Sequence, residues 1–149
     1  MPSEAVNDAT RREWRDLGFF YDRDDDRKEW RVVGSRLGLL KFRDILVRYV
    51  TNPRSQSKSE HDHYGPYMYL KILTWSEAGM DRNAIYGTLQ DLRRLAGMIE
   101  ARLEDTRAVS VLRIREEFAR DCEYSLVLDV RDKDFDPASV DPELTDQAG

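Results

Sequence analysis

The chain has 149 residues, of which 40% are hydrophobic and 36% are charged. This length and composition predict one globular domain with a buried core and a strongly polar surface. The formal net charge of −5 argues against nucleic acid as a partner, since no global basic surface is available. No apolar run approaches the roughly 20 residues of a membrane helix, which argues against a membrane partner.

The two ends of the chain are polar. Residues 1–10 lack a hydrophobic signal segment and helical periodicity, so we expect them to be disordered and the protein to be cytoplasmic. The single cysteine, Cys122, cannot form an internal disulfide, which fits a reducing compartment; we expect an exposed thiol in a turn. An excess of acidic residues predicts a solubilising C-terminal tail over 132–149, leaving 11–131 as the domain.

The first half of the chain predicts a hairpin followed by a helix. The aromatic run 17–21 and residues 29–33 predict two antiparallel strands around the charged turn 22–28. A helix is expected over 36–50, capped by Ser35 and with a buried stripe on one face. That stripe comprises Leu39, Phe42, Leu46 and Tyr49.

The second half predicts more strands around a second helix. Strands are expected over 67–75 and 84–86, and a helix over 89–103 capped by Thr88. The segment 109–118 fits either a strand or a helix, and we favour a strand that forms a closing hairpin with 124–130. The order of elements predicts an α+β fold: a mostly antiparallel sheet with two helices packed on one face.

The two halves also align with each other. Residues 33–42 match 86–95 at an offset of 53, and each copy has a glycine and a hydroxyl residue before a helix. This alignment predicts an internal β-α-β duplication with units 30–75 and 83–130. Ordinary helix capping at two strand-to-helix junctions would give the same pattern, so both explanations stay open. Gly34 and Gly38 predict a tight turn and close packing of the first helix.

Polar and aromatic residues cluster in the run Glu60-His61-Asp62-His63-Tyr64. In an extended segment His61 and His63 project from one side and could ligate a divalent transition metal. Two ligands fall short of a complete metal site, so we favour no cofactor and a hydrogen-bonded strand entry. An acid–base pair of His61 with Glu60 or Asp62 is a further alternative, but no nucleophile motif accompanies it, and we predict no catalytic residue.

The aromatic residues suggest a binding surface. Tyr67, Tyr69 and Trp75 would share the sheet face opposite the helices, where the tail or a second subunit should cover them. Tyr67 and Tyr69 also have a passing likeness to the base-stacking pair of RNA-recognition motifs, although interface stacking on a protein fits the acidic charge better. The predicted binding residues are Glu60, His61, His63, Tyr64, Tyr67, Tyr69 and Trp75.

The run Gly34-Ser35-x-x-Gly38-Leu39 opening a helix, followed by Glu60-His61-x-His63 at a strand entry, resembles a pattern in small uncharacterised bacterial proteins. Some of these are similar to immunity proteins encoded beside polymorphic toxins. The resemblance covers residues 30–75 and implies a cytoplasmic protein that neutralises a partner by binding it. The sequence therefore predicts a non-enzymatic interaction domain that binds a protein partner or itself. The alternative is a small metal- or ligand-binding protein, with or without hydrolytic activity, centred on Glu60-His61-Asp62-His63.

Overall fold

The computed structural model describes residues 3–106 and 109–145. Its α-helices are α1 (Glu4–Leu17), α2 (Arg36–Thr51), α3 (Leu89–Asp105) and α4 (Pro142–Thr145). Short 3-10 helices span Pro53–Gln56 and Pro137–Val140. The strands are β1 (Phe20–Asp24), β2 (Glu29–Ser35), β3 (His61–Tyr64), β4 (Leu70–Thr74), β5 (Gly79–Met80), β6 (Ile85–Gly87), β7 (Ser110–Ile114) and β8 (Ser125–Arg131). None of these helices is both long and apolar enough to cross a membrane.

The predicted α+β class is confirmed, with the strands divided between two sheets. One sheet has the order β1-β2-β8-β7 and the other has the order β3-β4-β6-β5. Most neighbours are antiparallel, but β2 pairs with β8 in parallel, and so does β4 with β6. The prediction of a single sheet was wrong because these parallel pairings join strands that are distant in sequence, which local patterns do not specify.

The two halves of the chain have the same connectivity. Each half consists of an antiparallel hairpin, a helix and a second hairpin: β1-β2-α2-β3-β4 and β5-β6-α3-β7-β8. The first hairpin of each half pairs with the second hairpin of the other half, through β2 with β8 and β6 with β4. An exchange of this kind is what a duplicated unit would produce. The duplication itself stays a prediction.

Helices α2 and α3 start at the predicted caps. The Ser35 hydroxyl accepts the N–H of Gly38 at 3.1 Å, and the Thr88 hydroxyl accepts the N–H of Asp91 at 3.1 Å. The Asp91 carboxylate in turn accepts the backbone N–H of Thr88 at 3.0 Å, which completes a capping box. The helices pack against each other, and their apolar stripes lie in the common core. The predicted stripe on α2 is buried, and so is an equivalent apolar stripe on α3 that comprises Leu92, Leu95, Ile99 and Leu103.

The predicted disorder of residues 1–10 is wrong for the part that the structure describes. Helix α1 begins at Glu4, and the Ser3 hydroxyl caps it by accepting the N–H of Val6 at 3.2 Å. Thr10 donates its hydroxyl to the Val6 carbonyl inside the helix. The apolar signal is sparse here, since only Asn7 and Trp14 of α1 are buried.

Two predicted strands are displaced along the chain. Helix α1 continues through Leu17 and ends at Gly18, whose φ of +96° is a left-handed C-cap, so β1 starts at Phe20 instead of Leu17. Strand β4 starts at Leu70, since the preceding Met68 has a φ of +62° that breaks extended structure. Tyr67 therefore lies in a turn and not in the strand.

The predicted acidic tail is also wrong over its described part. Residues 137–144 form a 3-10 turn and the start of α4, with Ala138 and Leu144 buried against the core. Phe135 packs on the same core beside the Arg131 guanidinium. Asp136 and Asp141 accept hydrogen bonds from other elements, which a count of charges cannot reveal. Residues 146–149 lie outside the described part of the chain.

The closing hairpin is confirmed, but Cys122 is not exposed. Strands β7 and β8 pair antiparallel, so 109–118 contributes a strand. Cys122 follows in the connection, where its side chain is buried and its thiol lies 3.2 Å from the Tyr124 carbonyl oxygen. The sequence places Cys122 in a turn, and a turn residue is usually exposed. Here the connection folds back onto the core, with Phe118 buried beside it.

We predict that Cys122 reacts slowly with Ellman's reagent in the folded protein and rapidly in urea. Burial raises the pKa of the Cys122 thiol, and the thiolate is the reactive form. Labelling rates measured with and without urea, against free glutathione in both solutions, check this. Rapid stoichiometric labelling of the native protein would contradict the buried position.

Candidate functional site

The structure separates the predicted binding residues into three places. Glu60, His61 and His63 lie at or beside β3, the outer strand of its sheet. Tyr67 and Tyr69 line a groove beside β1. The sequence-based prediction placed both tyrosines on one face with Trp75, and this shared face does not form, because the turn before β4 redirects the tyrosines.

Trp75 lies beyond the other end of β4, in a separate depression. Its ring is 38% exposed, and the Lys58 ammonium stands 4.4 Å from the ring centroid. An ammonium at that distance over an indole face is a cation–π contact. The Trp75 ring thus already has a cationic neighbour within the chain.

A concave surface of mixed aromatic and charged character, here called the aromatic groove, has a volume of about 380 Å³. Its aromatic lining residues are Phe20, Tyr21, Trp30, Tyr67 and Tyr69. Its charged lining residues are Asp22, Arg23, Asp141 and Glu143, and Pro142 completes it. Strand β1, the turn before β4 and the start of α4 therefore meet at one concave surface.

Asp141 is a buried carboxylate in the groove wall, with 1% of its surface exposed. One carboxylate oxygen accepts the indole N–H of Trp14 at 2.8 Å and the phenol of Tyr67 at 2.7 Å. The other oxygen accepts the backbone N–H of Glu143 at 3.0 Å, as an N-cap of α4 does. Within the described ranges no cationic side chain forms an ion pair with Asp141.

Tyr67 links this carboxylate to the groove. Burial, followed by the charge and hydrogen bond of Asp141, raises the pKa of the Tyr67 phenol above its ordinary value. The phenol therefore stays protonated and donates to Asp141. Its ring packs edge-on against Trp14, with centroids 6.0 Å apart. This wall of the groove therefore contains a carboxylate whose hydrogen-bond donors, the Trp14 indole, the Tyr67 phenol and a backbone N–H, are all neutral.

Tyr21 holds the turn that carries the groove rim. Its phenol donates to the Tyr64 carbonyl and accepts the backbone N–H of Tyr69 at 3.1 Å. Burial, followed by the charge of Asp62, raises the pKa of the Tyr64 phenol, whose half-buried ring packs on the core. The sequence predicted Tyr64 as a binding residue. In the structure its carbonyl oxygen and its ring both help to hold the turn in place.

The rim of the groove is apolar and exposed. Tyr69 is 67% exposed and Met68 is 54% exposed, and Met68 has the positive φ given above. The charged lining residues Asp22 and Arg23 already form ion pairs, with Arg31 and Asp25 respectively. The carboxylates at Asp141 and Glu143 thus give the groove its net negative character.

The histidine pair has a defined hydrogen-bonding pattern. Nδ1 of His61 lies 3.0 Å from the Ser59 carbonyl oxygen, and Nδ1 of His63 lies 3.1 Å from the Met68 carbonyl oxygen. A carbonyl oxygen only accepts, so each Nδ1 carries the proton and donates it. In the neutral ring each Nε2 is then left with its lone pair, and both side chains are exposed.

The carboxylates beside the histidines are held elsewhere. Arg54 pairs with Glu60 at 3.0 Å and with Asp62 at 2.6 Å. Neither imidazole is hydrogen-bonded to a carboxylate in the described chain, so the acid–base pair considered from the sequence does not form. The described residues also contain no group of three or more His, Cys, Asp or Glu side chains placed to hold a metal ion.

The sequence did not reveal the groove because Asp141 was assigned to a solubilising acidic tail. A signal was present: Asp141 precedes Pro142 and Glu143, and an aspartate followed by proline and a glutamate is typical of a helix start. That signal predicts a cap at this position. It does not predict that the capping carboxylate faces Trp14 and Tyr67.

Comparison of the chain with family models, with curated proteins and with solved structures finds no match in any of the three. The fold and the groove chemistry are therefore the basis for a functional assignment.

Proposed function

We propose that this protein is a non-enzymatic interaction domain whose aromatic groove receives a basic side chain of a protein partner. The observation that carries the proposal is the Asp141 carboxylate: it is buried in an aromatic wall and has no cationic neighbour among the described residues. A buried charge is normally paired. Since Asp141 is 1% exposed, a partner's ammonium or guanidinium would supply the missing charge from the groove in front of it, without a direct bond.

The groove lining suits such a side chain. Aromatic faces attract cations, and Tyr67 and Tyr69 stand with their centroids 6.4 Å apart beside the carboxylates. Glu143 adds a second, exposed carboxylate on the same wall. The exposed Met68 and Tyr69 at the rim would then bury apolar surface against the partner, as aromatic and methionine side chains do at interfaces.

The sequence resemblance extends this proposal to an immunity-like role. A basic toxin domain would offer lysine or arginine side chains to an acidic groove, and neutralisation by binding needs no catalytic residue. A cytoplasmic location belongs to the same proposal. Self-association through the groove is the competing proposal. The matched connectivity of the two halves supports an internal duplication, and it does not indicate which partner binds.

The groove is tested with a short arginine-containing peptide added to ¹⁵N-labelled protein. We expect amide shifts at the groove lining residues, and Tyr69→Ala should weaken binding about three- to tenfold through loss of the cation–π contact. Trp75→Ala is the matched control, because it removes an exposed aromatic ring outside the groove. That variant should bind the peptide like the wild type.

Two results would contradict the proposal. One is the absence of groove shifts with both arginine and lysine peptides at millimolar concentration. The other is an equal response to a glutamate peptide of the same length. Sedimentation velocity of wild type and Tyr69→Ala measures self-association separately. If the wild type is a dimer and the substitution dissociates it, the occupant of the groove is a second copy of the chain and not a foreign protein.

A further inference from the structure

His61 and His63 are held as metal-binding histidines are held. In metal sites the ring nitrogen that does not bind the metal usually donates its proton to a carbonyl or carboxylate oxygen, which sets the tautomer and the ring orientation. Both histidines make this bond through Nδ1 to a backbone carbonyl. Both Nε2 atoms are thus prepared as ligands, on one side of an outer strand.

The spacing of the two rings fits one shared ion. Their centroids lie 5.1 Å apart and their planes are inclined by 87°. Two imidazoles that bind one zinc ion at about 2.0–2.1 Å with a tetrahedral angle place their centroids roughly 5 Å apart. The observed separation of 5.1 Å therefore matches that of two imidazoles that share one ion.

We propose that His61 and His63 bind one divalent transition-metal ion, of the class of Zn²⁺, Ni²⁺ and Cu²⁺, through their Nε2 atoms. Imidazole ligands suit these ions. Glu60 and Asp62 are not ligands, since Arg54 holds both carboxylates. The remaining coordination positions are filled by water or by the same pair of a second copy. Neither histidine lines the aromatic groove, so metal binding does not rest on the proposed function.

Isothermal titration calorimetry of tag-free protein with ZnCl₂, NiCl₂ and CuCl₂ tests the site. We expect saturable binding that His61→Ala or His63→Ala weakens about a hundredfold, because the second imidazole no longer acts at high effective concentration. The double substitution should abolish it, since these are the chain's 2 histidines. Both side chains are exposed, and thermal melts of the variants check that the fold is retained.

Control variants separate this site from other ligands. Asp62→Asn and Cys122→Ala should bind the metal like the wild type. Unchanged binding in the double histidine variant, loss of binding in Asp62→Asn, or no binding of any of the three ions would overturn the proposal. Sedimentation with and without metal identifies the remaining ligands: a monomer with one ion supports water, and a metal-dependent dimer supports a second histidine pair.

Discussion

Replacement of Gly38 by alanine should lower the free energy of unfolding by about 3 kcal/mol, the upper end of the range for overpacking. Gly38 lies in the first turn of α2, where a Cβ atom would collide with the Gly18 carbonyl oxygen. That oxygen belongs to the C-cap that ends α1, and the Gly18 N–H bonds the Trp14 carbonyl at 2.9 Å. The clash is with a backbone atom, so it cannot be relieved by rotating a flexible side chain. Urea denaturation followed by circular dichroism measures the loss.

Gly97→Ala is the matched control in the other long helix. A Cβ atom there would meet nothing within 4 Å, so the substitution adds helix propensity without a clash. We expect a gain of about 0.5–1 kcal/mol in the free energy of unfolding. Opposite signs for Gly38→Ala and Gly97→Ala are the expected result. A Gly38→Ala variant as stable as the wild type would mean that α1 and α2 do not approach closely.

Asp141→Ala should destabilise the protein by about 3 kcal/mol. The substitution leaves the indole N–H of Trp14, which is fully buried, without an acceptor and removes the N-cap of α4. The phenol of Tyr67 also loses its acceptor. The segment that contains α4 should then separate from α1 more readily. Chemical denaturation gives the free energy of unfolding, and limited proteolysis reports the loosening of the C-terminal segment.

Arg15→Ala serves as the control for Asp141→Ala. Arg15 joins α1 to the same segment through an ion pair with Asp136 at 3.0 Å, but the two side chains are 53% and 39% exposed. Exposed pairs contribute little, so we expect a much smaller loss than for Asp141→Ala. If Asp141→Ala cost no more than Arg15→Ala, the buried carboxylate would not be the main attachment of this segment.

The parts of the fold that were predicted correctly are those with local chemical signals. Ser35 and Thr88 each cap the helix that follows within the next three residues, and the apolar stripes repeat at helical spacing. Strand β1 was misplaced because its boundary depends on the Gly18 cap of α1, a helix that buries only Asn7 and Trp14. The segment 132–145 was misread because its acidic residues look solvated until their partners, Trp14 and Arg15, are known.

Of the two candidate sites, one could be predicted from local sequence and the other could not. The histidine pair could be recognised from the sequence because His61 and His63 are two residues apart, and strand geometry alone puts them on one side. The acceptors of their Nδ1 hydrogen bonds could not be predicted from the sequence, because the acceptor of His63 is the Met68 carbonyl oxygen across a turn. The aromatic groove joins residues near 20, 67 and 141, and no local pattern relates them.

The sequence by itself determined the α+β class, the two capped helices, their buried faces and the histidine pair, because caps and periodicity act over a few residues. Tertiary structure alone decided the division into two sheets, the docking of the C-terminal segment and the aromatic groove. These depend on parallel strand pairs such as β2 with β8, and on bonds such as that from Trp14 to Asp141. Such contacts form between residues about a hundred positions apart, so their energy depends on the whole chain's packing.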